Sequence, residues 1–178
     1  DPSYFSQMVV MTAPMQWNYG VSADSWESRQ PWIEGFICLQ IQQSKRDETW
    51  LRLLNTHGIP CLSDVDTRAI TFRLRSAGTS WGALVNAEDS QSAKKLALDL
   101  ISKKKNIEKD WVHLVSRKEV ELRKGNNLKG PRVAVLDFGS KENILRELML
   151  RCSEIKIFPA RTTTQQILEY HPDGFLLP

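Results

Sequence analysis

Arg132–Cys152 reads RVAVLDFGSKENILRELMLRC and decides the fold. Its apolar start, Val133 to Leu136, has the length of a buried strand, and Asp137, Phe138 and Gly139 then break the run. Beyond the break Ile144, Leu145, Leu148, Met149 and Cys152 recur at i, i+1, i+4, i+5 and i+8, the spacing of one apolar helix face. The stretch therefore predicts strand, tight turn, helix.

A second unit of the same kind follows, with Glu154 to Phe158 as a strand and Thr164 to Tyr170 as a helix halted before Pro172. Asp173 to Leu177 begins a third strand. Strands alternating with helices at this spacing imply parallel crossovers and an α/β layer fold. In open α/β sheets the loops after the strands carry the ligand site. The sequence stops just after the third strand, and residues 132–178 are less than half of an ordinary α/β domain, so a fragment of a longer chain is expected.

Working back toward the start, residues 124–131, KGNNLKGP, combine glycines, asparagines and a proline without apolar periodicity, and are assigned as the linker between two domains. Residues 1–123 are assigned to a mixed α and β domain. Gln7 to Thr12 reads as a strand buried on both faces, Pro14 to Ser28 as a loop, and Gly35 to Ile41 as a second strand. Asp47 is a candidate cap for a helix carrying Trp50, Leu51 and Leu54, which Gly58 stops. Ile59 to Val65 and Trp81 to Val85 read as short strands, and Asp66 as the cap of a helix ending at Gly78. Ser92 is expected to cap a helix through Ala93, Leu96, Ala97, Leu100 and Ile101, and Trp111 to Leu122 to form a last strand.

Composition narrows the function classes. A hydrophobic fraction of 41% is ordinary for a globular protein, and no apolar run approaches the roughly 20 residues that span a bilayer. No secretory signal pattern is present, which makes the cytoplasm the default location. The net charge of +3 is slight, and its basic residues lack interleaved aromatics, against nucleic-acid binding. Cys38, Cys61 and Cys152 are odd in number and widely spaced, as suits reduced packing thiols better than a disulfide framework or a zinc site. The six tryptophans suit core filling, with anchoring of a partner the other use of such residues. A kinase or P-loop reading of Asp137, Phe138 and Gly139 fails, because no GxxxxGK[ST] loop, lysine-bearing strand or catalytic loop accompanies them.

Taken together, DPSYFSQMVVMTAP (1–14), WNYGV (17–21), HGIPCLSDVDTRAITFRLRSAGT (57–79), VAVLDFGSKENILREL (133–148) and IFPARTTTQQILEYHPDGFLL (157–177) resemble the small, glutamine-hydrolysing subunit of carbamoyl-phosphate synthetase. The resemblance implies an N-terminal domain of swivelling β/β/α type, followed by the beginning of a flavodoxin-like class I glutamine amidotransferase domain. It also implies glutamine hydrolysis whose ammonia passes to a large subunit. That partner uses ATP, with magnesium, and bicarbonate to make carbamoyl phosphate for arginine and pyrimidine synthesis, so no cofactor is expected in this chain.

In such enzymes a cysteine thiolate at a glycine-flanked elbow attacks the amide, with a histidine and a glutamate later in the chain. No such elbow occurs here: Cys152 follows a helix face and reads as packing, and His171 before Pro172 reads as a loop histidine. The fragment alone is therefore expected to be inactive, and a parent lacking the nucleophile would be a docking or regulatory subunit. One site residue carries over by the resemblance: Ser3 of DPSY, as a glutamine-binding residue contributed by the N-terminal domain. Without the resemblance Ser3 reads as a turn-stabilising serine. Two readings stay open for Lys141, Asn143 and Arg146, contact with substrate or partner and plain helix surface. The same holds for Asp66, Thr67 and Arg68, with capping the simplest account of Asp66.

Overall fold

The computed structural model describes residues 1–13, 15–16, 26–41, 49–107 and 109–178. The expected Asp47 cap and most of the 14–28 loop, including Asn18 and Gly20, lie outside the described residues. The chain forms two compact units. One comprises Ser6–Ser25 and Pro31–Lys109, the other Asp1–Phe5, Trp26–Gln30 and Asp110–Pro178.

The first of these contains β1 (Met8–Val10), β2 (Met15–Gln16), β3 (Gly35–Ile37), β4 (Gln40–Ile41), α1 (Thr49–Thr56), β5 (Cys61–Leu62), α2 (Thr67–Ala77) and α3 (Ser90–Lys105). Strands β1, β3 and β5 form a parallel sheet in that order, while β2 pairs with β4. The strand expected over 35–41 thus divides between two sheets, and β1 is half-buried rather than covered on both faces. Phe36, Cys38 and Leu54 make the core, and Phe36 meets Trp50 edge to face at 5.6 Å. Gly58, at φ 63, closes α1 as expected, since a left-handed residue there costs a glycine little. Asp66 caps α2 by accepting from the Ala69 amide at 2.9 Å.

Two further local expectations fail in this unit. The cap of α3 is Asp89, not Ser92: its carboxylate accepts from the Gln91 and Ser92 amides and the Ser92 hydroxyl, so Ser92 is a donor within the first turn. Residues 81–85 are not a strand either. They run beside β1 and β3 without joining the ladder, so close that a Cβ built on Gly82 or Gly35 would meet Met8 or Leu84 at 2.8 and 2.9 Å.

The second unit contains α4 (Trp111–Val115), β6 (Glu121–Lys124), β7 (Arg132–Asp137), α5 (Glu142–Met149), β8 (Glu154–Pro159), α6 (Thr164–Leu168) and β9 (Gly174–Leu176). Its sheet order is β6-β8-β7-β9, with β7 parallel to both β8 and β9 and β6 antiparallel at the edge. The α/β class with a parallel sheet is as the sequence implied. Alternate residues of β7 face opposite layers. Val133 and Val135 pack with Leu145 of α5 and with Cys152, Ile155 and Ile157, whereas Ala134 packs with Phe158, Ile167 of α6 and Tyr170. Complete burial of Leu145 alone stabilises the unit by about 2 kcal/mol.

The single strand expected over 111–122 is instead a helix and a strand. Asp110 accepts from the His113 amide at 3.0 Å and starts α4, and only after Ser116 does the chain extend into β6. β6 ends at Lys124, where the 124–131 segment begins, and pairs with β8, which follows that segment. That segment is itself stitched to the α5–β8 turn: Gly125 donates to Ser153 O, Asn126 to Met149 O and Asn127 to Cys152 O. A Cβ on Gly125 would stand 2.0 Å from Cys152 O, which accounts for a glycine there.

Candidate functional site

The order β6-β8-β7-β9 makes β7 the strand from which the chain departs in both directions, first to β8 on one side and then to β9 on the other. The carboxyl end of such a strand is where open α/β sheets bind ligands. Here that end is Asp137, completely buried, followed by the turn Phe138–Gly139–Ser140 into α5.

Asp137 folds the turn around its own carboxylate. One oxygen accepts from the amides of Gly139 (3.2 Å) and Ser140 (2.8 Å) and from the Ser140 hydroxyl (2.8 Å). The other accepts from the Arg117 amide at 2.7 Å and lies 3.2 Å from the Arg117 guanidinium. Burial is the largest single influence and pushes the carboxyl up. The bonds from Ser140 and Arg117 and the Arg117 charge together outweigh it, leaving Asp137 below the ordinary carboxylate range. It is a fixed anion that shapes the turn, not a base.

The DPSY segment sits on this turn. Pro2–Tyr4 is one turn of 3-10 helix, capped by Asp1, whose carboxylate accepts from the Ser3 amide at 3.0 Å and the Ser3 hydroxyl at 2.8 Å. The other Asp1 oxygen is 3.0 Å from Lys141 Nζ. Gly139 has φ 100, and a Cβ there would lie 2.9 Å from both Pro2 Cβ and Val115 Cγ2, so only glycine lets Pro2 close against the turn. Ser3 is thereby held, exposed, at the carboxyl end of the parallel sheet. A hydroxyl that donates to a carboxylate meets a further donor through its oxygen.

Behind the turn is a charge cluster that no sequence motif marks. Arg117, its side chain 5% exposed, donates to Glu121 at 2.7 Å and to Glu142 at 2.6 Å besides pairing with Asp137. Arg123 bonds the other oxygens of Glu121 and Glu142. Its guanidinium is raised, burial opposing and the two glutamates prevailing, while Glu121 is lowered, burial again opposing and the two arginines prevailing. The cluster joins positions 117, 121, 123, 137 and 142, a set drawn together only by the sheet and the turn.

The other candidates take structural places. Lys141 ties DPSY to the turn, and Arg146 donates to Trp26 O and to the Glu27 carboxylate, which also receives the Asn143 amide. Thr67 is buried, and Arg68 lies 5.3 Å from the Phe72 ring centre on α2. Together with Thr12, Leu39, Thr71 and Arg75 these α2 residues line a cleft of about 470 Å³. Cys152 is a core thiol raised by burial. His171 is an exposed turn residue at φ 52. Cys38, just after β3, and Cys61, on the neighbouring β5, have thiols in mutual hydrogen-bond reach, and desolvation first, then the Cys38 thiol, pushes Cys61 up to about 11. Among the described residues no three His, Cys, Asp or Glu side chains cluster as a metal site, and no helix is long and apolar enough to cross a membrane.

A family model described as carbamoyl-phosphate synthase small chain, CPSase domain, matches residues 1–84. Over 99% of its length the chain is 37% identical to the carbamoyl phosphate synthase small chain of Symbiobacterium thermophilum, covering 50% of that protein. It is 34% identical to that of Bacillus caldolyticus and 37% identical to that of Clostridium acetobutylicum, again over 99% of its length, covering 48% and 50% of them. The chain thus spans about half the length of the curated relatives it matches. The matches to these relatives run through both the DPSY segment and the β7–α5 turn, so that along nearly its whole length the chain is similar to about half of a carbamoyl phosphate synthase small chain.

Proposed function

We propose that the full-length protein is the glutamine-hydrolysing subunit of a carbamoyl-phosphate synthase, releasing ammonia for a large subunit. That partner would handle ATP, magnesium and bicarbonate and make carbamoyl phosphate for arginine and pyrimidine synthesis in the cytoplasm. The observation that carries this reading is the similarity to carbamoyl phosphate synthase small chains along 99% of the chain. It is supported by the seating of DPSY at the carboxyl end of β7.

In this reading Ser3 binds the polar end of glutamine, at a strength of about 1 kcal/mol for a neutral hydrogen bond. The nucleophilic thiol is none of the three cysteines of this chain. Cys38 and Cys152 are buried, and Cys61 at about 11 is almost wholly protonated near neutrality. These residues alone would be inactive toward glutamine.

The test is ammonia release from glutamine by the full-length gene product, with and without its large subunit, ATP and bicarbonate. Release that rises with the large subunit and its substrates supports the reading, and Ser3→Ala then raises KM for glutamine several-fold. No release from folded protein under any condition refutes glutamine hydrolysis and leaves a docking subunit. An unchanged KM in Ser3→Ala removes Ser3 from the site.

A further inference from the structure

Arg117 is the most buried cation of the charge cluster, and it bonds three different acids around one turn. Its amide and guanidinium hold Asp137, whose other oxygen holds Gly139 and Ser140. Its Nη2 holds Glu142 at the start of α5. Two residues before it, Val115 forms one wall against Gly139, while Pro2 forms the other. Phe5, just after DPSY, meets Trp111 of α4 edge to face at 5.7 Å. The segment from α4 to Arg117 and the segment from Asp1 to Phe5 therefore grip the same turn from two sides.

An arginine fork in such a place is costly to desolvate, and a hydrophobic replacement would commonly stabilise as well. What the fork supplies is geometry. Its planar donors fix Asp137, Glu121 and Glu142 in one arrangement, which a lysine's single ammonium does not reproduce. Asp137 then fixes the backbone on which Pro2 and Lys141 set DPSY.

We infer that Arg117 is a positioning residue for glutamine: through the Asp137 turn it holds the DPSY segment so that Ser3 meets the substrate. This rests on the proposed glutamine site at Ser3. Arg117 touches no substrate and has no part in the chemical steps. Its loss loosens the approach of Ser3 and weakens the binding that Ser3 supplies.

The experiment is a double-mutant cycle on glutamine hydrolysis by the full-length protein with its large subunit, using Ser3→Ala, Arg117→Lys, Arg117→Gln and the two double variants. Arg117→Gln is expected to raise KM for glutamine several-fold, by no more than Ser3→Ala does, with kcat changed less than about twofold, since a misplaced binding group costs affinity. Arg117→Lys falls between it and the parent. Ser3→Ala is expected to add little in the Arg117→Gln background, because the group it removes is already displaced, and less than it adds to the parent in the Arg117→Lys background. Should Arg117→Gln fail to fold, Arg117→Lys keeps the charge and carries the same cycle. Fold-changes in KM that multiply independently, or an unchanged KM in both Arg117 variants, would overturn the inference while leaving glutamine binding at Ser3 intact. Ser3→Ala without effect in the parent would overturn both together.

Discussion

Replacing Gly139 with alanine puts a methyl group into a space already bounded by two buried side chains. At φ 100 an L-residue is strained by about 1–3 kcal/mol. The new Cβ would also lie 2.9 Å from Pro2 Cβ and 2.9 Å from Val115 Cγ2, the one a rigid ring and the other a branched side chain with little room to turn. Overpacking of this kind costs about 1–3 kcal/mol, and restriction of the unfolded chain returns about 0.4–1 kcal/mol. The net expectation is a loss of about 3 kcal/mol, or a shift of about 1.5 M in the urea midpoint for an m-value of about 2 kcal/mol/M. Gly174, in β9 of the same unit, is the control, for it has ordinary φ and nothing within 4 Å of a built Cβ. Alanine there is expected to be neutral or to stabilise by about 0.5 kcal/mol. Hydrogen exchange of the β7 and β8 amides under increasing urea follows the unit that holds both glycines, without assuming that the whole chain unfolds as one. A loss below about 1 kcal/mol in Gly139→Ala, or one equal to that of Gly174→Ala, would refute the claim that this turn closes against Pro2 and Val115.

Two further predictions concern acid and capping. Asp137 has a folded pKa lowered against its unfolded value, so its contribution to stability is full above about pH 4 and is lost as pH falls through the lower folded value. Asp137→Asn should flatten that acid limb of the stability profile, and a variant with the parent's limb would contradict the assignment. In α3, Asp89→Ala should lower helicity by circular dichroism more than Ser92→Ala does, because Asp89 accepts three bonds in the first turn and Ser92 only donates. The reverse order would restore Ser92 as the cap.

Where local pattern and nearby partners agree, the chain could be read without a structure. The Val133–Leu136 run and the strand from Glu154 became β7 and β8 with boundaries shifted by one residue, while the Ile144–Cys152 face became α5 with Ile144 exposed and the helix ending at Met149, before Cys152. Each owes its form to side-chain periodicity within a few residues. Gly58 and Asp66 were equally legible, since a left-handed stop and a side-chain cap are local bonds. Residues 111–122 misled because a loose apolar alternation suits both states, and the Asp110 cap with Arg117's bonds to distant acids chose helix, bend and strand.

Sequence by itself determined the α/β class, the strand–turn–helix start at Val133 and the family resemblance. Only tertiary structure decided that Glu121–Lys124 pairs across the 124–131 segment with β8, that Asp1 and Pro2 lie against Lys141 and Gly139, and that Arg117 joins Glu121, Asp137 and Glu142. The physical reason is range. Periodicity and capping act over one or two turns of chain, whereas an edge strand's partner and a buried charge's counter-ions are chosen by the whole packed unit, where an unpaired charge or backbone group is too costly to leave.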